Sequence, residues 1–144
     1  MRSKDATDCC AGETTGLAEA VLCEIAAMLA RFAGTGEAGA IDLRGLPMTE
    51  ADRSRLESRL GHGEVRAEVV VAGRSEVWET SYAGVWWVRH RGADDRVAAE
   101  EIVVTRVPDI LATHEDDVRA ASMRLANDLA NPERAAQEEE TSHV

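Results

Sequence analysis

The chain has 144 residues, of which 16 are basic and 27 acidic for a formal net charge of −11, and its aromatic residues are three Trp, one Tyr and one Phe. That length suits one domain with tails, and a field of that sign repels phosphate backbones and anionic headgroups, which argues against nucleic acid and membrane surfaces as partners. The N-terminus, MRSKDATDCCAGETTG, lacks the continuous apolar run of a secretory signal, and the most apolar stretch is broken by Glu19, Glu24 and Arg31, so no membrane insertion and a cytoplasmic location are expected.

Residues 1–16 are small and polar, and residues 131–144 follow an Asn-Pro stop with an acidic cluster. Both are expected as solvated tails flanking a single domain over 17–130. Cys9, Cys10 and Cys23 are odd in number and form no disulfide framework, which fits a reducing compartment. Val21, Leu22, Ile25, Met28, Leu29 and Phe32 recur at helical spacing and predict an amphipathic helix over 17–33, stopped by GTGEAG. AIDL suits a brief edge strand, and Leu46-Pro47 turns the chain. Thr49 with Asp52 has capping-box spacing and opens a helix through about Leu60, ended by Gly61 and Gly63.

From Glu64 the period changes to two: Val65, Ala67, Val69 and Val71 share one face, Arg66, Glu68 and Val70 the other. Further strands are expected over 75–82, 85–91 and 98–106. Connections this short force antiparallel neighbours, hence a four-stranded meander. Thr113 and Asp116 repeat the capping spacing before a last helix carrying Val118, Ser122, Leu125 and Leu129 through about Ala130. The expected fold is α+β, two-layer: a four-stranded antiparallel meander packed with about three helices.

Chemical motifs are sparse. GTGEAG matches G-x-G-x-x-G through Gly34, Gly36 and Gly39, but a helix precedes it and Glu37 sits where pyrophosphate would, so it reads as a helix-terminating loop. His62, His90, His114 and His143 fit no ligand spacing and are expected as solvated loop, strand-end and tail residues; no metal or cofactor is expected. Glu79 is expected on the solvent side of its strand, paired with a neighbouring Arg. No nucleophile, base and orienter assemble, so the chain is not read as an enzyme. An alternative of another class is a ligand or catalytic pocket in which Glu79, Thr80 and His90 lie beneath the turn.

Trp78, Tyr82, Trp86 and Trp87 concentrate in EVWETSYAGVWWVRHR. Consecutive strand residues point to opposite faces, so Trp86 and Trp87 cannot share one side of a sheet. The row of Trp87, Arg89 and Arg91 carries two arginines and is therefore expected outward, with Trp86 and Val88 in the core. An exposed Trp beside Arg, with Val70 and Arg66 near it, would suit an acidic or amphipathic polypeptide. A second copy of the chain burying the Trp87 face as a structural homodimer is the other reading of that surface.

The segments IDLRGLPMTEADRSRLESRLGHGEV, EVWETSYAGVWWVRH and EEIVVTRVPDIL together resemble the C-terminal module of the HupH/HyaF-type hydrogenase expression/formation proteins. The resemblance runs from about Ile41 to Leu129 and is carried by Pro47, Gly61, Gly63, Gly84, Trp86 and Pro108 in their order. It implies an accessory protein of NiFe-hydrogenase maturation, a chaperone or scaffold for the iron–sulfur small-subunit precursor or a companion of other maturation proteins, with no catalytic residue and no cofactor of its own. The hairpin residues Trp78, Glu79, Thr80, Tyr82, Trp87, Arg89 and Arg91 are then the expected contact surface.

Overall fold

The computed structural model describes residues 15–70 and 72–133. The segments 1–14 and 134–144, with Cys9, Cys10 and His143, and the single residue Val71 lie outside the described residues. The chain divides into two compact units, one ending at Pro108 and one beginning at Asp109.

In the first unit, α1 (Leu17–Thr35) buries Ala18, Val21, Ile25 and Met28, the three-and-four spacing expected of one helical stripe. It ends at Gly36, whose N–H caps Phe32 O. β1 (Gly39–Asp42) and a 3-10 turn (Leu43–Gly45) lead to α2 (Glu50–Leu60), which opens on a complete capping box: Thr49 Oγ1 accepts from Asp52 N at 3.0 Å, and an Asp52 oxygen accepts from Thr49 N at 3.1 Å. The strands β2 (Arg66–Val70), β3 (Arg74–Glu79), β4 (Val85–Arg91) and β5 (Val97–Val104) follow.

All pairs are antiparallel, and the order is β1-β5-β4-β3-β2. The sheet therefore has five strands rather than the four expected. The four-strand meander is present, and the AIDL segment adds a fifth strand by pairing with β5, Ile41 opposite Ile102. That pairing is remote in sequence, so no short turn announces it.

One face of the sheet carries the main core: Trp78, Val85, Trp87, Ile102 and Val104 cluster with the α1 stripe and with Leu43, Leu56 and Leu60. Trp87 is 0% exposed, so the expectation of an outward Trp87 is overturned. Trp86 is buried as expected, at 5%, but with Val77 and Val88 it lies outside the cluster formed with α1 and α2, on the opposite face by strand alternation. Over Val85–Val88 both faces of β4 are buried, and the two tryptophans serve one each.

The junction after α2 depends on two glycines. Gly61 has φ of +69°, and a Cβ there would strike Ser81 Oγ; a Cβ on Gly63 would come within 2.5 Å of the Thr80 carbonyl oxygen. This closeness lets Ser81 N donate to Leu60 O at 2.8 Å and Gly63 N to Glu79 O at 2.7 Å. The end of α2 is thereby fastened to the β3–β4 turn.

The second unit holds a 3-10 turn (Asp109–Leu111) and α3 (Glu115–Ala130). His114, rather than Thr113, is the N-cap of α3: its ring nitrogen accepts from Asp116 N at 3.2 Å. None of the 16 residues of α3 is buried.

Candidate functional site

On the helix-facing side of β3, β4 and β5, aromatic and charged side chains form one stack. His62, just past α2, lies parallel to Trp78 with centroids 5.2 Å apart, and Trp78 stacks on Trp87 at 5.6 Å and 9°. The guanidinium of Arg89 sits 5.1 Å from the Trp78 ring and 5.9 Å from Trp87. The register explains the assembly: Trp78 is opposite Trp87, and Glu76 and Glu100 flank Arg89 on the two neighbouring strands.

Glu100 is the buried anion of this site, 1% exposed. One oxygen accepts from Trp87 Nε1 at 2.8 Å and Arg89 Nε at 2.7 Å, and the other lies 3.5 Å from Arg53 of α2. A charge that deep is tolerable only with such partners. Glu76 gathers Arg89 at 3.8 Å and Arg91 at 3.4 Å, while Glu57 of α2 takes Arg89 and His62, each at 3.5 Å. The arginines that pointed to a solvent face are thus neutralised, Arg89 by Glu57 of α2 with Glu76 and Glu100 of the sheet, and Arg91 by Glu76. Among the described residues, Trp78 Nε1 and Arg53 Nε are the buried side-chain nitrogens without a hydrogen-bond partner.

The remaining expected site residues have local tasks. Glu79 takes Gly84 N at 3.1 Å instead of an arginine, and Thr80, buried, exchanges its hydroxyl with Tyr82 N and O, each at 3.2 Å. His90 bonds Ser75 Oγ through Nδ1 at 2.8 Å. Four positions along β4 separate His90 from Trp86, the partner of Glu79, a span of about 13 Å at strand rise. Glu79, Thr80 and His90 do not converge. Among the described residues no group of three His, Cys, Asp or Glu is placed to hold a metal ion, and no helix is long and apolar enough to cross a membrane.

Tyr82 differs from its neighbours. It stands 53% exposed at the β3–β4 turn, beside a cleft of about 230 Å³ walled by Leu22, Ala26 and Leu29 of α1, Arg59 of α2 and Val85 of β4. Backbone bonds from the end of α2 and the Glu79 carboxylate hold the turn, and the cleft beside it offers apolar surface. Sequence reasoning missed the cleft, because α1 and the turn are some fifty residues apart and only packing brings them together.

A family model described as the C-terminal conserved region of HupH hydrogenase expression protein matches residues 17–131. The chain belongs to the HupH family. Similar to this HupH-family chain are the hydrogenase expression/formation proteins HoxQ of Azotobacter vinelandii, 29% identical over 86 residues, which are 60% of this chain and 30% of that protein, and HupH of Rhizobium leguminosarum bv. viciae, 30% identical over 105 residues, 73% of this chain and 37% of that one. The chain spans about a third of the length of these curated relatives. The solved structure of hydrogenase expression protein HupH from Thiobacillus denitrificans matches at a TM-score of 0.79 and 39% identity, covering 83% of this chain and 99% of that one.

Proposed function

We propose that this HupH-family chain is an accessory protein of NiFe-hydrogenase maturation that acts in the cytoplasm and binds a polypeptide, the iron–sulfur small-subunit precursor or another maturation factor. The observation that carries the binding role is the open apolar cleft with Tyr82 at its mouth. Apolar walls with an aromatic at the rim and an arginine at one end suit an apolar side chain on an amphipathic or acidic segment. The carboxylates and histidines of the hairpin are engaged in fastening the fold, which favours a binding role over catalysis. Of the expected contact residues, Tyr82 is the one with an open aromatic ring, so the contact centres there and not on Trp87.

The test is isolation of the tagged protein from its own host while hydrogenase is being made, with mass-spectrometric identification of what accompanies it. Wild type should carry a hydrogenase small subunit or a maturation protein, and Tyr82→Ala with Ala26→Glu should lose it at an unchanged melting temperature. Isolation of wild type without either protein would overturn the maturation reading. Retention of the same partner by the double variant would leave that reading standing and remove the cleft from it.

A further inference from the structure

Among the described residues, half of the exposed large hydrophobic side chains lie on α3: Val118 is 55% exposed, Leu125 61%, Leu129 75% and Met123 73%. A helix of 16 residues with no buried residue is marginal in water, since most helical stability comes from packing an apolar face. Val118, Ser122, Leu125 and Leu129 follow one another at steps of four, three and four, the spacing of a two-helix seam. We propose that α3 pairs with α3 of a second copy of this chain, antiparallel.

Self-pairing is favoured by size. In the antiparallel register that sets position 122 against 125, Ser122 of one copy meets Leu125 of the other and Val118 meets Leu129. Small stands against large at every level, as a close-packed seam requires. Orientation is decided by charge. Glu115, Asp116 and Asp117 crowd the first turn, so a parallel pair would bring six carboxylates to one end. An antiparallel pair separates the two groups by roughly 24 Å, beyond the screening length at physiological salt.

So short a seam buries on the order of 1,000 Å² in total, at the low end of specific interfaces. The dissociation constant should therefore be on the order of 10 μM. Because α3 is held by its partner, dissociation should also melt it.

Sedimentation equilibrium and far-UV circular dichroism on the same samples of full chain, from about 1 to about 200 μM, test this. Dimer and helical signal should rise together. Leu125→Asp with Leu129→Asp should weaken the dimer roughly 100-fold or more, while the tryptophan-monitored melt of the first unit stays put. A chain that is monomeric throughout, a dimer indifferent to the double variant, or a dimer whose helical signal ignores concentration would each overturn the proposal. In a Val118→Cys, Leu129→Cys variant, oxidative cross-links should join 118 to 129; links of 118 to 118 would overturn the antiparallel orientation.

Discussion

Trp87 is shared by the aromatic stack of the first unit and its buried anion. It stacks on Trp78, donates to Glu100 and lies under Arg89, with no exposed surface. Trp87→Ala should destabilise the first unit by about 3–5 kcal/mol, from a cavity together with the loss of one hydrogen bond to the buried Glu100 carboxylate. Denaturant titration measures it; a loss under about 1 kcal/mol would contradict the core placement. Glu100→Ala should cost about 3 kcal/mol or more by the same titration, because Arg89 and Arg53 lose their buried counter-charge. Strand alternation sorted Trp86 from Trp87 correctly. The side is not legible locally: two arginines in alternation read as a solvated row, whereas Glu57, Glu76 and Glu100 neutralise that row in the fold.

Among the elements, α2 was the most legible, since its capping box is written in adjacent residues. Thr49→Ala should cost about 1 kcal/mol, read from the chemical-denaturation midpoint. Asp52 does more than close the box: it also accepts from Thr15 N and Thr15 Oγ1, each at 2.8 Å, tying the start of α1 to the start of α2. Burial raises its pKa, but the hydrogen bonds from Thr15 and Thr49 outweigh that and hold it below the ordinary 3.8. A carboxyl held lower in the folded than in the unfolded chain stabilises the fold above the unfolded value, and that contribution disappears as pH falls through the folded one. The stability gap between wild type and Asp52→Asn should therefore shrink between about pH 5 and about pH 2, followed by thermal melts across that range; a constant gap would contradict it. β1 was legible as a strand but not as a member of the sheet, because its partner lies some sixty residues on. His114 displaced Thr113 as the cap of α3 by supplying a ring nitrogen one residue nearer the helix.

At the scale of the whole molecule, all three tryptophans are buried in the first unit, at 4%, 5% and 0% exposure. Their emission should begin blue-shifted and move to the red in one cooperative urea transition that reports that unit; a red-shifted native spectrum would contradict the packing of both sheet faces. Tyr82→Ala should leave the transition within about 0.5 kcal/mol of wild type, as expected of an exposed ring, so any loss of a captured partner belongs to the surface and not to the fold.

Periodicity, capping residues and turn lengths are local, and the amino-acid sequence by itself determined what depends on them: three helices, the four-strand meander, its antiparallel pairing, and the separation of Trp86 from Trp87. Family membership was legible in the same way, through short segments in a fixed order. Tertiary structure alone decided the fifth strand, the side on which each tryptophan is buried, the neutralised arginines and the Tyr82 cleft. Each of these is a contact between residues far apart in the chain, and burial of a charge or an aromatic ring depends on what lies opposite it in space rather than beside it in sequence.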